Sequence, residues 1–399
     1  MTTPAHVLIV GASVAGLATA ETLRRRGYEG RLTLLDAESR PLYDRPPLSK
    51  GVLSGTWPPD RALLRTPEAL QALGAEFVLG DPAVALDVAS RTVHTASGRV
   101  LRADAVVLAT GARPRTPPGQ EASAGVHVLR TLDDALALRA GLLTAPRTVV
   151  VGDGVLGAEI AATARAMGVD VTLAGPQRAP LESRFGSAVA GELAALHLRH
   201  GVVLRLGTPV DGLTRHDGKV TGVRLHDGGA LPADLVVVAV GAAPATDWLD
   251  GSGLRLDDGV VCDAHCRAAD GVYAVGDVAR WHHAGAGEPW RLENRTNAVE
   301  QAAAVAANLL GERRPYTPVP YFWTEQFDAR IHVYGHPGAD AEVSVVEGSL
   351  TDRRFVALYR RAGRVTAVLG WNMPKQARLH RQTHLADPAH APTLTPART

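Results

Sequence analysis

Two stretches of this chain follow one plan. His6-Val-Leu-Ile-Val-Gly11-Ala-Ser13-Val-Ala15-Gly16 is echoed by Thr148-Val-Val-Val-Gly152-Asp-Gly154-Val155-Leu156-Gly157. Each opens with a short apolar, β-branched run that reads as a buried strand, passes closely spaced glycines, and continues in a helical pattern. The first helix is expected over Leu17–Arg26 with Gly27 as its stop, and the next strand over Arg31–Leu35, ending at Asp36. In the second copy the helix is expected over Ala158–Met167, Gly168 stops it, and Val169–Leu173 is the strand. A glycine-rich turn between strand and helix lets a pyrophosphate approach backbone N–H groups at the positive end of the helix. Gly11, Ser13 and Gly16 fill the three small-residue positions of the first turn, Ser13 being a departure that keeps close approach possible and adds a hydroxyl. Gly152, Gly154 and Gly157 fill the second without substitution. Asp36 is placed to accept from a ribose hydroxyl. Two such turns imply two dinucleotides, and they constrain the fold to paired β-α-β units.

Composition removes several alternatives. With 42 Lys+Arg against 41 Asp+Glu, the chain has no excess charge for sequence-independent nucleic-acid binding. Its two cysteines, Cys262 and Cys266, cannot build a disulfide framework, an all-thiolate zinc site or a thiolate-held cluster, and a structural role is expected for them. No metal site is expected. The longest apolar runs, such as Leu235–Ala243, fall short of the ~20 residues that span a bilayer. The first strand lacks a basic leader before it, so a cytoplasmic protein without a membrane partner is expected. Further buried strands are expected at Ala105–Ala109 and Leu235–Val240, each closed by a glycine turn (Thr110-Gly111 and Gly241), and at Val272–Val275, leading into Gly276-Asp277. A long helix is expected from Asn297 to Leu310. Past Pro315 short strands alternate with turns, and nine aromatic residues lie between Tyr316 and Trp371, which reads as a small α+β unit with its own core. Residues 386–399, rich in Pro, Ala and Thr, are expected to be disordered.

Five further segments carry a family resemblance. Tyr43-Asp-Arg45-Pro46-Pro47-Leu-Ser-Lys50, Ala109-Thr110-Gly111-Ala-Arg113-Pro, Gly276-Asp277-Val278-Ala, Asn297-Ala-Val-Glu-Gln301 and Tyr321-Phe-Trp323 with Gln326 closely resemble segments of the FAD-dependent ferredoxin and rubredoxin reductases that serve cytochromes P450 and ring dioxygenases. They occur in that family's order from about residue 6 to 380. The resemblance implies an α/β protein with two Rossmann-like dinucleotide-binding domains. An FAD-binding domain over 1–112 and 241–314 is interrupted by an NAD(P)-binding domain over 113–240. A C-terminal interface domain follows over 315–385.

It also implies roles. Asp277 would bond a ribityl hydroxyl of FAD, and the N–H of Val278, opening the next helix, would face the flavin pyrimidine. Lys50 would sit beside flavin N5. Only three of the 42 basic residues are lysines (Lys50, Lys219, Lys375), so a lysine kept at this position suggests that a compact ammonium is needed. Lys50 is expected to pair with Glu159, ordering the nicotinamide on the flavin. Relatives that use NADH carry an acid at the end of the second strand of the NAD domain. Here that strand runs into Ala174-Gly175, and Arg178 and Arg184 follow, so NADPH or dual use is expected. Tyr321, Phe322 and Trp323 are either core or a cover over the flavin edge. Glu293-Asn-Arg295 replaces an aromatic triplet of relatives, so the aromatic role near the nicotinamide is not carried over. His282 and His283 are expected in an exposed loop.

The function implied is an NAD(P)H-dependent FAD-containing ferredoxin reductase. Hydride passes from nicotinamide to flavin N5, then single electrons pass to an iron–sulfur ferredoxin that feeds a P450 or other oxygenase. Arg45, Arg313, Arg314 and Arg330 are candidates for an acidic ferredoxin's docking face. Two alternatives share the fold: an NAD(P)H oxidase, and a flavin-bound interaction protein like apoptosis-inducing factor.

Overall fold

In the computed structural model, which describes residues 3–116 and 123–385, the two repeated segments become the centres of two sheets, the second parallel and the first parallel but for one antiparallel edge strand. The tail expected over 386–399 lies outside the described residues. Strand β1 (His6–Val10), helix α1 (Val14–Arg25) and strand β2 (Arg31–Asp36) form the first unit. Its sheet has six strands in the order 267–269, 272–274, 105–108, β1, β2, 76–79. Strand β3 (Arg147–Val151), helix α2 (Val155–Ala166) and strand β4 (Asp170–Gly175) form the second, in a five-stranded sheet ordered 203–206, β4, β3, 235–238, 126–127. Both central strands are buried on both faces, as their unbroken Val/Leu/Ile runs require.

Both helices begin about one turn earlier than the apolar pattern suggests, because the turns themselves cap them: Ser13 and Gly154 are the N-cap residues. Gly11 and Gly152 adopt φ of +104° and +116°, which side chains rarely adopt. A Cβ on Gly16 or Gly157 would lie 1.8 Å from the carbonyl oxygen of Gly11 or Gly152. Helix and turn therefore approach as closely as backbone allows.

The two sheets are joined by crossing strands at Ala112–Pro114 and Ala242–Pro244, which pair antiparallel. The chain thus leaves the first sheet after 105–108, builds the second, and returns. The last third is a five-stranded antiparallel sheet, ordered 321–326, 329–335, 364–371, 354–361, 342–349. The strands Tyr321–Gln326 and Glu342–Ser349 are additions to the sequence reading.

Helix Pro374–His384 covers one face of that sheet. Its other face receives helix α3 (Glu182–Arg199) from the second unit: Phe185, Val189, Leu193 and Leu196 pack on Ile331, Phe355, Tyr359 and Trp371. Burying side chains of this size contributes roughly 1.5–3 kcal/mol each. α3 kinks at Gly186, and the Phe185 carbonyl accepts from Tyr359 Oη at 2.9 Å.

His282 and His283 belong to a strand, Ala279–His283, and not to a loop. His283 is buried and stacks on Trp290 at 3.8 Å, while Trp290 meets the His336 ring edge-on at 4.7 Å. Burial, with the Arg184 cation next in weight, lowers His336 from 6.5 to about 4.

Two outcomes are expected of the fold. Gly157→Ala lowers the melting temperature by several degrees, at about 2–4 °C per kcal/mol for a domain of this size. Gly154→Ala, where nothing lies within 4 Å of an added Cβ, leaves it nearly unchanged in the absence of nucleotide. Below pH 6.5 the unfolded chain takes a proton at residue 336 that the folded chain refuses until about pH 4. Stability therefore falls as pH drops through that window, by up to about 1.4 kcal/mol per pH unit from this group. Urea unfolding across a pH series should show a shallower acid slope for His336→Leu.

Candidate active site

Both glycine turns open at the C-terminal ends of their sheets, where α/β folds bind ligands. In the first, Asp36 Oδ2 accepts the Ala12 N–H at 2.5 Å and Oδ1 accepts the Glu38 N–H at 2.8 Å, fixing the acid at the strand end. Arg45 reaches into the same corner. It donates to Ser13 Oγ and, at 2.9 Å, to Glu38 Oε1, with Tyr43 under its guanidinium at 5.6 Å. Arg45 is thereby part of the first turn's wall. The wall is closed from the other side by Gly276, at φ +74°, where an added Cβ would sit 3.1 Å from Ala15.

Gly276 donates its N–H to Gln301 Oε1 at 2.8 Å, and Asp277 Oδ2 lies 3.2 Å from Arg130 Nη2. An added Cβ at Gly111 would meet Arg130 as well, at 3.0 Å. Arg130 therefore joins the Ala109-Thr110-Gly111 and Gly276-Asp277 turns; an arginine in a loop carries no sequence signal of that. Val278 corrects an expectation. It closes a single 3₁₀ turn, Gly276–Val278, and leads into a strand, so no helix begins there. The positive helix end in this corner belongs to Arg295–Leu309, capped by Asn294, whose side chain accepts the Asn297 N–H at 2.7 Å. Arg113 also turns away, donating to Asp247 Oδ1 at 2.9 Å beside the crossing strands, and Arg115 N–H bonds the Gly241 carbonyl at 2.9 Å.

The two units meet at Lys50. Pro46–Ser49 forms a 3₁₀ turn, whose Pro46 carbonyl accepts from Lys50 Nζ at 3.2 Å. Lys50 Nζ lies 2.6 Å from Glu159 Oε2, on α2. The Glu159 side chain is 6% exposed and Lys50's is 21%. Ser49 Oγ donates to the same Glu159 oxygen at 2.6 Å, and Thr324 Oγ1 donates to the other at 2.8 Å. Thr163 Oγ1 donates to the Ser49 carbonyl at 2.7 Å. One carboxylate thus gathers the first unit, the second unit and the C-terminal sheet. Ser49, Thr163 and Thr324 were missed by sequence reasoning, since a hydroxyl shows its partner only in three dimensions.

Above Lys50 lies a cavity of about 660 Å³, lined by Pro46, Pro47, Trp57, Arg61, Arg65, Arg295, Trp323 and Arg330 among others. Trp323 is partly exposed in that wall and stacks on Tyr321 at 6.1 Å, so it is not core; Phe322 instead packs towards α3.

At the second turn, Gly152, Gly154, Val155, Leu156 and Gly157 open α2, and Gly154 leaves its approach clear. The strand-end position is Gly175, yet a carboxylate is present beside it. Asp153, from within the turn, accepts the Gln177 N–H at 2.7 Å. The strand end itself carries no acid, as expected; the carboxylate beside it comes from the turn. Arg184 is also displaced, because α3 carries it to the Phe322 ring at 5.6 Å; Arg178 is exposed, its N–H bonded to Glu182 at 3.0 Å. Glu293 pairs with Arg291 at 2.6 Å.

Cys262 and Cys266 are free and buried, far from a thiolate's needs: burial pushes Cys266 up to about 12 and Cys262 upwards too. Gln301 Nε2, which donates to Cys266 Sγ at 3.3 Å, links that core to Gly276. Among the described residues there is no grouping that would hold a metal ion, and no helix long and apolar enough to cross a membrane.

Residues 5–302 match the pyridine nucleotide-disulphide oxidoreductase model, and residues 321–392 match the reductase C-terminal model. The chain belongs to the pyridine nucleotide-disulphide oxidoreductase family. Within that family it groups with ferredoxin reductases. It is 34% identical over 371 residues to rhodocoxin reductase of Rhodococcus erythropolis, covering 92% of this chain and 87% of that one. It is 35% identical over 376 residues to putidaredoxin reductase of Pseudomonas putida, covering 92% and 89%. The crystal structure of the ferredoxin reductase for the CYP199A2 system of Rhodopseudomonas palustris matches with a TM-score of 0.89 at 33% identity, covering 92% and 91%. This is therefore an FAD-dependent oxidoreductase that uses a nicotinamide dinucleotide. The residues present fit both groups. Gly11 and Gly16 let the first helix start close against its turn, as a pyrophosphate held on backbone N–H groups would need, Gly154 leaves the second approach open, and neither cysteine lies in a glycine turn or on α1 or α2.

The Lys50–Glu159 contact makes a measurable statement. Lys50→Met leaves a buried carboxylate with only hydroxyl donors and is expected to cost about 1–3 kcal/mol in urea unfolding. The double variant Lys50→Met/Glu159→Gln is expected to recover part of that loss, a coupling that a double-mutant cycle reads directly.

Proposed function

We propose that this chain is an NAD(P)H-dependent, FAD-containing ferredoxin reductase supplying a P450 or other oxygenase. We assign the FAD-binding domain to 1–112 and 241–314, the NAD(P)-binding domain to 113–240 and the interface domain to 315–385. The observation that carries the reading is the convergence of Lys50, Glu159, Ser49 and Thr324, one ordered ion pair where all three parts meet. The flavin, when bound, takes hydride from the nicotinamide and releases electrons singly.

The chain's own residues do the rest. Asp36, Ser13 and Arg45 hold the adenine-side ribose and pyrophosphate corner. Asp277, oriented by Arg130, holds a ribityl hydroxyl. The end of the helix at Arg295–Asn297 favours negative charge in the flavin corner. Lys50, held by Glu159 and the Pro46 carbonyl, keeps a fixed ammonium at the meeting point of the two dinucleotides.

The cavity above Lys50 supports the choice of acceptor. Its rim brings Arg61, Arg65, Arg295 and Arg330 around Trp57 and Trp323, a cationic and aromatic face suited to an acidic protein. Asp44 and Glu21 answer Arg295 and Arg65 with ion pairs at 2.6 Å each, so Arg61 and Arg330 are the more available cations. Of the docking candidates read from sequence, Arg330 lies on this rim, whereas Arg45 does not.

Cytochrome c reduction, measured with and without an iron–sulfur ferredoxin and with peroxide followed alongside, tests the assignment. Turnover is expected to require the ferredoxin. Fast peroxide formation without it would sink the reading in favour of an oxidase. The ferredoxin KM should rise steeply with salt, and Arg330→Glu should raise it at least tenfold, about 1.4 kcal/mol. A KM flat across the salt series speaks against the rim as the docking face.

A further inference from the structure

The two glycine turns correspond position by position. In the first unit β1 and β2 pair with Val10 opposite Leu35, and in the second β3 and β4 pair with Val151 opposite Ala174. Gly152 thus corresponds to Gly11, Asp153 to Ala12, Gly175 to Asp36, and Gln177 to Glu38. In the first unit the acid stands at the strand end and the small residue in the turn. In the second the two residue types have changed places.

The carboxylate has nevertheless stayed where it was. A Cβ built on Gly175 would lie 2.3 Å from Asp153 Oδ2, so the Asp153 carboxylate fills the room that a strand-end side chain would take. It also makes the corresponding hydrogen bond. Glu38 N–H donates to Asp36 at 2.8 Å, and Gln177 N–H donates to Asp153 Oδ2 at 2.7 Å. The second oxygen takes Gln177 Nε2 at 2.6 Å, and that amide is turned by Ser183 N–H, which donates to Gln177 Oε1 at 2.6 Å. Asp153 is 4% exposed, a burial unusual for an aspartate on a loop.

We propose that Asp153 is the specificity residue of the second dinucleotide site and that it selects NADH over NADPH. This rests on the reading that the second turn binds a nicotinamide dinucleotide, and it reverses the preference expected from the strand end alone. A carboxylate at this corner accepts from the adenosine ribose hydroxyl and repels a phosphate esterified there. It offers about four lone-pair sites, of which Gln177 uses two.

The surroundings agree. The Arg178 N–H draws the Glu182 carboxylate to the same loop at 3.0 Å, adding negative charge. Arg184, one of the two arginines that could answer a 2′-phosphate, lies instead over the Phe322 ring, and the other, Arg178, is exposed beside Glu182. A brace that only shaped the loop would affect stability equally for both ligands, whereas a specificity residue changes their ratio.

Calorimetric titration of the FAD-loaded protein with ADP-ribose and with 2′-phospho-ADP-ribose separates these roles, because neither ligand carries a nicotinamide and no electron transfer enters. The wild type is expected to bind ADP-ribose at least tenfold more tightly. Asp153→Asn, which keeps the shape and an acceptor for Gln177 N–H, is expected to bring the two affinities within about threefold, chiefly by tightening the phosphorylated ligand. The exchanged pair Asp153→Ala/Gly175→Asp, which rebuilds the first unit's arrangement, is expected to restore the preference. Should Asp153→Asn fail to fold, the wild-type ratio and the exchanged pair carry the test. Equal or tighter wild-type binding of 2′-phospho-ADP-ribose overturns the proposal, as does a folded Asp153→Asn that keeps the wild-type ratio. Both results leave ferredoxin-dependent turnover untouched; binding of neither ligand overturns the assignment of the second site as well.

Discussion

A single buried carboxylate holds the three parts of this protein in register. Glu159 is almost wholly removed from water, and an ionised group in that position is costly unless donors surround it. α2 carries the carboxylate, and its donors come from the two other parts: Ser49 and Lys50 from the turn after the first unit, and Thr324 from the C-terminal sheet. The parts cannot drift apart without leaving that charge unanswered. The apolar packing of α3 on the C-terminal sheet adds the larger share of attraction, but it is not directional. Orientation at the seam comes from the hydrogen bonds.

The duplicated unit shows how one backbone plan admits two side-chain solutions. Both turns need a glycine at positive φ and another where the helix grazes the turn, since a Cβ would strike backbone oxygen. Neither needs its acid on a particular residue. Asp36 reaches the corner from the strand end, and Asp153 reaches the same corner from the turn. What the ligand meets is a charge at a place, and two positions in the chain can supply it.

Much of the architecture was legible in the sequence. The strand cores at 6–10, 105–108, 147–151, 235–238 and 272–274 are near-continuous Val, Leu, Ile and Ala, which only a doubly covered parallel sheet would bury. The Lys50 and Glu159 positions could be singled out from a resemblance and from the rarity of lysine. The expectations that needed correction share a cause. The expectations for Val278 at a helix start, His283 in an exposed loop and Arg184 at a ribose rest on chain position or on the resemblance, neither of which shows what packs against a side chain. Their actual surroundings come from other elements of the fold: Arg184 meets Phe322, and His283 stacks on Trp290 of the next strand, whose ring in turn meets the distant His336.

By itself the sequence determined the two glycine turns, the order of the units and the lack of a cysteine in either turn or the helix it opens, because those follow from local sterics and from residue type. Tertiary structure alone decided which charges meet. It brought Arg130 to Asp277, closed Ser49 and Thr324 on Glu159, and returned a carboxylate to the corner beside Gly175. The reason is one of range. Backbone conformation is set within a few residues, whereas an ion pair or hydrogen bond depends on separations of about 3 Å between side chains that the chain itself leaves unrelated.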